Sequence, residues 1–365
     1  MTVLVFSPNW LGDAVMALPA LSDIRRHPAT RRLVVAARPG VAGLWNIAAG
    51  VDEVVIIPRA SGAARWRTLG ENTEALRRIG ADAAVLLPNS LQTAVMARRA
   101  GIPERWGYRR NLRGWLLTRA VPRPRGTVHQ ADYYRHLVAA LGIASGDRVP
   151  RLDVPAAIVE KARDMLAAAG WTTGAGLLGI APGAAYGGAK RWPPERFAAV
   201  AAELAHSHGL LPVLVGSEAD LAAACAIEAE LGKIKTGGLT ARVERAEPGG
   251  RTGLDTSGSP ATGPAAVNLA GRTDVPQLAG VLALCSAFVS NDSGAMHLAA
   301  AVGTPVVALF GPTDERVTAP LAGRAHVLTA AAWCRPCLLR ECPLDHRCMN
   351  GLDAGTVARA AEELL

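Results

Sequence analysis

A polar segment follows a short, largely apolar run in the last quarter of the chain. Residues 287–290 form this run, Asn-Asp-Ser-Gly follows, and an alanine-rich helical pattern covers 296–302. In α/β proteins, ligands bind where a strand leads into a helix start, and the free amides of that first turn suit a phosphate. The sequence therefore predicts an anion-binding loop here. In the alternative interpretation, Asp292 and Ser293 only cap the helix and His297 packs inside it.

The chain begins with a comparable arrangement. Residues 3–6 form a predicted strand, and Pro-Asn-Trp-Leu-Gly-Asp follows at 8–13. The spacing lacks both G-x-G-x-x-G and the Lys-Ser/Thr pair of a P-loop, so it indicates neither a dinucleotide site nor a Walker loop. Asp13, at the mouth of a predicted turn around Gly12, is a residue type that takes a proton from a substrate hydroxyl held within about 3 Å. The alternative is an aspartate that caps its helix and stabilises it by about 1 kcal/mol.

A glycine-rich loop ending in two cations follows another predicted strand, at 177–181. The loop has the sequence Ala-Pro-Gly-Ala-Ala-Tyr-Gly-Gly-Ala-Lys-Arg over 181–191. Lys190 can neutralise a phosphate. With helix-start amides it would stabilise a departing diphosphate by several kcal/mol without any metal. A solvated Lys190–Arg191 pair ahead of the next helix is the alternative.

Alternating strands and helices position these three segments. Strands are predicted at 3–6, 33–37, 53–57, 83–88, 177–181, 211–215, 267–269, 287–290 and 306–310. Helices are predicted at 15–26, 72–78, 91–100, 132–141, 158–169, 194–207, 219–231, 275–283 and 296–302. This alternation predicts an open parallel sheet in each half of the chain, joined by a linker within 142–155. Residues 232–264 lack apolar periodicity, and we expect a flexible insertion that is dispensable for chemistry.

Length and composition fit two domains of this α/β class. The chain has 365 residues, of which 50% are hydrophobic and 4% aromatic, a composition that favours alternating helices and strands over an all-β or fibrous protein. No apolar run approaches the roughly 18 residues that a membrane span needs, and the N-terminal residues alternate as in a strand rather than as in a signal peptide. We therefore expect a cytoplasmic protein.

Positive charge is concentrated in one stretch. The formal net charge is +8, and nine arginines but only one glutamate lie between residues 98 and 125, interleaved with Trp106, Tyr108 and Trp115. Guanidinium groups match phosphate and carboxylate alike. The stretch is therefore compatible with nucleic acid, an anionic membrane surface, or an acidic small or lipid-linked substrate. A solvated basic face without a partner is the alternative.

Four of the six cysteines lie within one short segment, at Cys334, Cys337, Cys342 and Cys348. In a cytosolic protein this spacing argues against disulfides and suggests a metal, although it does not match the paired C-x2-C pattern of zinc sites. The open alternatives are a small structural zinc or iron–sulfur site and reduced thiols in a loop stiffened by prolines. Cys225 and Cys285 lie in apolar contexts, and we expect both in the core.

Four ordered motifs resemble the ADP-heptose:lipopolysaccharide heptosyltransferases of glycosyltransferase family 9, most closely the heptosyltransferase II branch. These motifs are the segment at 8–13, Ala-Pro-Gly at 181–183 with Lys-Arg-Trp-Pro at 190–193, Asn-Leu-Ala-Gly-Arg-Thr at 268–273, and Ser-Asn-Asp-Ser-Gly-Ala-Met-His at 290–297 with Phe-Gly-Pro-Thr at 310–313. The likeness covers nearly the whole chain.

The resemblance implies a GT-B fold of the α/β class, in which two Rossmann-like doubly wound domains face a central cleft. It implies an acceptor domain over 1–155, a nucleotide-sugar domain over 156–349, and a C-terminal helix within 350–365 that crosses back to the first domain. The implied reaction is an inverting, metal-independent transfer of L-glycero-D-manno-heptose from ADP-heptose to a core already bearing one heptose. The implied partners are ADP-heptose, the lipid A-linked inner-core oligosaccharide and the anionic inner membrane, without nucleic acid and without a required cofactor.

The resemblance also implies roles for individual residues. Asp13 resembles the general base, and Lys190 the cation that meets the donor phosphates. The implied donor-binding residues are Gly12, Gly183, Tyr186, Lys190, Glu218, Thr273, Asp292, Ser293, Gly294, Met296 and His297. The implied acceptor-binding residues are Asn9, Trp10, Arg109, Arg110 and Arg113, which would give the arginine-rich stretch an anionic ligand.

Two other functions stay open. A related family member would use another donor or acceptor, as heptosyltransferases I and III do. A non-catalytic nucleotide or nucleic-acid-binding module would use the arginine-rich stretch instead. Such a module would bind polynucleotides with a steep salt dependence and would transfer no sugar.

Overall fold

The computed structural model describes residues 1–172, 174–243 and 265–365, with only the backbone described at 235–243. Within the described residues, two six-stranded sheets are each covered by helices. The first half contains β1 (Thr2–Phe6), α1 (Leu11–Met16), α2 (Leu18–Arg26), β2 (Arg32–Ala37), α3 (Pro39–Asn46), β3 (Glu53–Ile56), α4 (Ala64–Ile79), β4 (Ala83–Leu86), α5 (Leu91–Arg99), β5 (Glu104–Tyr108), β6 (Arg119–Val121) and α6 (Gln130–Ala139).

The second half contains α7 (Ala156–Ala168), β7 (Leu177–Ala181), α8 (Pro194–His208), β8 (Leu211–Leu214), α9 (Leu221–Val243), β9 (Val267–Asn268), α10 (Val275–Ala283), β10 (Ala287–Asn291), α11 (Gly294–Ala301), β11 (Val306–Phe310), α12 (Glu315–Thr318), β12 (Ala325–Thr329), α13 (Arg347–Asn350) and α14 (Ala354–Glu362). No helix among the described residues is long and apolar enough to cross a bilayer.

The two sheets have the same topology. Their strand orders are β3-β2-β1-β4-β5-β6 and β12-β11-β10-β7-β8-β9, and all strand pairs are parallel. Counted from the first strand of each half, both orders are 3-2-1-4-5-6, the doubly wound arrangement. Ligands bind such sheets at the carboxyl ends of the strands where the order reverses. These positions follow β1 and β4 in the first domain and β7 and β10 in the second.

Continuous apolar runs explain why the central strands were predictable. Every residue of β10 and β11 is buried, because helices cover both faces of a parallel sheet. All nine predicted strands are confirmed. The sequence reading missed β5 and β6, which carry arginines, and β12, which is only half-buried.

The helix after β1 differs from the prediction. The expected single helix at 15–26 is two helices, separated at Ala17, and Pro19 lies at the start of the second. Proline has no backbone N–H and is tolerated only in the first turn of a helix, so it favours a new start here. Helix α1 already begins at Leu11. Gly12 and Asp13 therefore lie inside its first turn, not in a preceding turn, and Asp13 is not the N-cap, which is Trp10.

The two domains are joined by direct helix contacts. Helix α1 packs against α11, and α3 packs against α10. Buried apolar residues of both domains, from Val15 in α1 to Leu298 in α11, belong to one continuous cluster. A further contact joins the domains, because His129 Nε2 lies 2.9 Å from the carbonyl oxygen of Ala319. The cleft is therefore bounded by contacts that fix the two sheets relative to one another.

The C-terminal helix does not cross back to the first domain. Helix α14 packs against α8 and against β10, β11 and β12. Its apolar residues Val357, Ala358 and Ala361 are buried in the same cluster as Phe197 of α8. The expectation that a helix within 350–365 returns to the N-terminal domain is wrong, because the second domain itself supplies the apolar surface that this helix buries.

The expected insertion at 232–264 is partly helical. Helix α9 continues past the predicted end at 231 and reaches Val243. The rest of the expected insertion, 244–264, lies outside the described residues.

Candidate active site

A cavity of about 360 Å³ lies between the domains, at the carboxyl ends of both sheets. The first domain contributes the start of α1, and the second contributes the segments that follow β7, β10 and β11. The lining residues are Trp10, Gly12, Asp13, Met16, Ala185, Tyr186, Lys190, Asp292, Ser293, Gly294, His297, Thr313, Thr318 and Leu338. Both topological switch points therefore open into one space, which is the place where this fold binds ligands.

Asp13 supplies a carboxylate from the first domain. Burial raises the pKa of Asp13 to about 6, the positive charge of Lys190 lowers this pKa, and the negative charge of Asp292 raises it. A carboxyl group with a pKa near 6 is mostly ionised at pH 7, yet it is a stronger base than an exposed aspartate. Asp13 is therefore suited to accept a proton in the cavity.

Lys190 and Asp292 form a buried ion pair in the second domain. Lys190 Nζ lies 2.5 Å from Asp292 Oδ2, and Thr313 donates a hydrogen bond to the same oxygen over 2.6 Å. These three residues follow β7, β10 and β11, whose adjacent carboxyl ends bring them together. The alternative of a solvated lysine is wrong for Lys190, whereas the neighbouring Arg191 is exposed. The cation is held in the cavity by a carboxylate.

The start of α11 faces the same cavity. Ser293 is its N-cap, and its hydroxyl accepts a hydrogen bond from the Met296 amide over 3.5 Å. Asn291 fixes the approach to this helix, because its side chain donates to the carbonyl oxygen of Pro182 over 2.7 Å and accepts from the Trp192 amide over 3.1 Å. The first amides of α11 therefore adjoin Lys190, an arrangement that suits a phosphate group.

Two glycines allow the helix starts of the two domains to approach each other. A Cβ atom on Gly12 would lie 2.7 Å from Cδ2 of His297, and one on Gly294 would lie 2.9 Å from Cβ of Leu11. Burial lowers the pKa of His297 to about 4, against the opposing effect of Asp292. His297 is consequently neutral at physiological pH and offers hydrogen bonds rather than a charge.

Tyr186 connects the glycine-rich loop to a later loop of the same domain. Its hydroxyl donates to the carbonyl oxygen of Leu338 over 2.7 Å, and Lys190 Nζ lies 4.8 Å from the centre of its ring. Gly187 has φ +157°, and a Cβ there would lie 2.3 Å from the carbonyl oxygen of Arg340. Glycine is therefore required where the two loops touch.

The structure brings most, but not all, of the predicted site residues to the cavity. The donor candidates at the cavity are Gly12, Tyr186, Lys190, Asp292, Ser293, Gly294 and His297, and Trp10 is the acceptor candidate there. Gly183 instead packs against the carboxylate of Asp220, and Met296 is fully buried. Asn9 accepts a hydrogen bond from Arg38 over 3.3 Å. Glu218 and Thr273 follow β8 and β9 on the same edge of the sheet but do not line the cavity.

The arginine candidates separate into exposed and buried side chains. Arg109 and Arg110 are exposed, whereas Arg113 has no exposed surface. The Arg113 guanidinium donates to the carbonyl oxygens of Tyr108 and Pro88 and to Oδ1 of Asn89. The prediction that Arg113 contacts the acceptor is therefore wrong; the residue ties together the loops after β4 and β5.

The cysteine segment does not form a ligand group. Among the described residues, no three His, Cys, Asp or Glu side chains are grouped so that they could hold a metal ion, and all six cysteines are free. The zinc or iron–sulfur alternative and the reduced-thiol alternative at Cys334, Cys337, Cys342 and Cys348 both stay predictions. Cys285 is buried as expected, but Cys225 is exposed, so its assignment to the core is wrong.

Five cavity residues were not singled out from the sequence as site residues: Met16, Ala185, Thr313, Thr318 and Leu338. Thr313 had a signal, since it follows a buried strand next to the strand that leads to Asp292. The other four have residue types that carry no chemical signal. These four residues could be identified only from the tertiary structure, in which separate loops and α1 come together around the cavity.

The chain resembles known proteins along most of its length. The sequence pattern described as Glycosyltransferase family 9 (heptosyltransferase) matches residues 70–244 and 253–347. Lipopolysaccharide heptosyltransferase 2 of Salmonella typhimurium is 30% identical over 336 residues, which cover 90% of this chain and 88% of that protein.

Two solved structures share the fold. The E. coli ADP-heptose lps heptosyltransferase II structure is 27% identical, covers 100% of this chain and 98% of its own, and has a TM-score of 0.76. The structure of E. coli heptosyltransferase WaaC with ADP is 21% identical, covers both chains completely, and has a TM-score of 0.69. The predicted GT-B fold is therefore confirmed. The extent of the pattern match, together with the full-length relative, shows that this chain is a glycosyltransferase and belongs to glycosyltransferase family 9.

Proposed function

We propose that this chain transfers L-glycero-D-manno-heptose from ADP-heptose to a lipopolysaccharide inner core that already carries one heptose, with inversion and without a metal. The observation that carries this proposal is the shared cavity. A proton acceptor from the first domain, Asp13, and a cation from the second, Lys190, line the same space of about 360 Å³. This is the arrangement that a transfer between two different substrates needs.

The second domain would hold the donor. Lys190 and the first amides of α11 lie where a diphosphate can receive both positive charge and hydrogen bonds. The nucleotide would then extend along the carboxyl edge of the sheet, past the ends of β8 and β9, where Glu218 and Thr273 lie. His297, neutral and buried, would donate or accept a hydrogen bond at the sugar.

The reaction would be a single displacement. The acceptor hydroxyl forms a bond to the anomeric carbon, Asp13 takes its proton, and the bond from that carbon to the diphosphate oxygen breaks. Negative charge grows on the departing diphosphate, and Lys190 with the α11 amides stabilises it, an effect of several kcal/mol in a preorganised site. Because attack and departure occur on opposite faces of the carbon, one displacement inverts its configuration.

The acceptor assignment rests on the relatives. The Salmonella typhimurium protein is named lipopolysaccharide heptosyltransferase 2, and the E. coli structure is named as heptosyltransferase II. An acceptor with one heptose already in place follows from that likeness. From the same likeness we propose that the reaction takes place on the cytoplasmic side of the inner membrane, with the protein at its anionic surface.

The test is incubation of the purified protein with ADP-heptose and a core oligosaccharide that carries one heptose, followed by mass spectrometry. A mass increase of one heptose is expected, and it should persist in excess EDTA. The anomeric configuration of the product, read by NMR, should be opposite to that of the donor. If the protein transfers heptose only to a core without heptose, its acceptor is that of a type I enzyme. If it transfers no heptose but binds polynucleotides with a steep salt dependence, the proposal is refuted.

A further inference from the structure

A second cavity, of about 550 Å³, lies within the first domain. It is lined by segment 122–128 together with Arg109 and Tyr133. Three of the lining residues are arginines, Arg109, Arg123 and Arg125, and none is acidic. The cavity is open and strongly cationic, so its composition suits an anion.

The strand register brings the three arginines together. Tyr108 of β5 pairs with Val121 of β6, and the Arg109 amide donates to the carbonyl oxygen of Val121 over 2.9 Å. The residues that follow both strands therefore leave the sheet side by side. They do so at the carboxyl edge, the same edge at which β1 leads to Asp13. Strands are about 4.8 Å apart, which puts this cavity about 10–15 Å from Asp13 along the edge.

These arginines lack ion-pair partners within the described part of the chain, where no carboxylate lies within 4.0 Å of Arg109, Arg123 or Arg125. Some other arginines of the domain are paired, such as Arg25 with Asp52 over 3.0 Å. Gathering like charges without a counter-charge is unfavourable, and an anion that bridges them relieves the repulsion.

A chain of hydrogen bonds points one more donor at this cavity. The buried Arg113 can only donate, so its 3.1 Å contact with Asn89 identifies the Asn89 atom as the amide oxygen. The Asn89 amide nitrogen then donates to the Tyr133 hydroxyl oxygen over 2.9 Å. This leaves the Tyr133 hydroxyl hydrogen free to donate to a ligand.

We propose that this cavity binds an anionic substituent of the acceptor, a phosphate or a carboxylate, through Arg109, Arg123, Arg125 and the Tyr133 hydroxyl. Arg113 and Asn89 are positioning residues, because they orient Tyr133 without reaching the ligand. The inference rests on the proposed function and deepens it. It assigns acceptor recognition to a group about 10–15 Å from the reacting hydroxyl.

The test compares variants on a soluble acceptor, the deacylated, phosphorylated inner-core oligosaccharide that carries one heptose. The double variant Arg123→Gln/Arg125→Gln should raise the KM for this acceptor at least tenfold, and Tyr133→Phe should raise the same KM about tenfold or less. In both variants kcat should change less than about threefold, and the KM for ADP-heptose should stay unchanged. The matched control is Arg31→Gln/Arg99→Gln, which removes two exposed arginines from the amino edge of the same sheet. The control should leave both KM values unchanged.

Calorimetric binding of the same oligosaccharide, without donor, separates this proposal from the proposed function. A tenfold loss of affinity in the double variant supports the cavity even if the wild-type protein transfers no heptose. Phosphatase treatment of the oligosaccharide identifies the group: the variant effect disappears if the ligand is a phosphate and persists if it is a carboxylate. The proposal would be overturned by any of three results. These are an unchanged KM and affinity in the double variant, an equal loss of affinity in the control variant, and an effect seen only with added anionic vesicles.

Discussion

Lys190 Nζ and Asp292 Oδ2 lie 2.5 Å apart, although the two residues are separated by 102 positions of sequence. Both side chains are almost entirely buried. A donor diphosphate that binds Lys190 must therefore share this cation with a carboxylate. The ion pair holds the lysine in position before the ligand arrives, at the cost of competing with it.

Lys190→Met tests this relationship. It leaves the Asp292 carboxylate buried with Thr313 as its remaining hydrogen-bond donor, and breaking a buried pair in this way costs about 3–5 kcal/mol. The free energy of unfolding, measured in urea, should fall accordingly, and ADP affinity measured by calorimetry should fall at least tenfold. Arg191→Gln removes the adjacent, exposed charge and should change neither by much. Equal ADP affinity in Lys190→Met and the wild type would show that Lys190 does not meet the phosphates.

The raised pKa of Asp13 predicts a pH dependence of transfer. The carboxylate is the active form, so kcat/KM should fall about tenfold for each unit of pH below about 6. Asp13→Asn should abolish transfer while ADP binding persists. A wild-type rate that stays constant down to pH 5 would exclude Asp13 as the base.

The same pKa shift predicts the sign of a stability change. The folded-state pKa lies above the ordinary aspartate value of 3.8, so the charged form of Asp13 destabilises the fold. Wild-type stability should therefore decrease relative to Asp13→Asn as pH rises from about 4 to 6. The difference in stability should stop changing below about pH 3, where the carboxyl group is protonated in both the folded and the unfolded state. Thermal unfolding curves at several pH values measure this, and a variant less stable than the wild type at pH 8 would contradict it.

Gly294→Ala should separate the two domains. Its Cβ would lie 2.9 Å from Cβ of Leu11 and 3.2 Å from the backbone nitrogen of Gly12, so helix α1 must move. A displacement of about 1 Å between reacting groups lowers the rate by about a hundredfold, and we expect that loss in kcat. Gly70→Ala in α4 is the matched control, because nothing lies within 4 Å of its Cβ; it should stabilise the protein by about 0.4–1 kcal/mol and leave kcat unchanged. Full activity in Gly294→Ala would show that the contact is not needed for transfer.

Arg113→Met should destabilise the first domain. The substitution removes a donor from the buried carbonyl oxygen of Tyr108 and from the part-buried carbonyl oxygen of Pro88, a loss of about 3 kcal/mol. The exposed Arg110→Met should change the free energy of unfolding by less than about 0.5 kcal/mol. Chemical denaturation of both variants measures the difference, and equal stabilities would restore Arg113 as an acceptor contact.

The sequence alone determined the nature of the fold and the segments that meet at the site. Strands such as β10 and β11 are buried on both faces, so their continuous apolar runs were readable, and the polar residues after β1, β7 and β10 marked the cavity because parallel strands end at one edge. Strands β5 and β6 were missed, since their arginines gave the appearance of a solvated basic stretch.

Only the tertiary structure decided what each charged group faces. Arg113 and Arg109 are the same residue type four positions apart, yet one is buried against carbonyl oxygens and the other lines an open cavity. Likewise, no local pattern indicates that Lys190 pairs with Asp292, or that the last helix stays on its own domain. Burial and electrostatic partners are set by contacts between distant segments, and a single sequence shows residue types and their periodicity but not which segments touch.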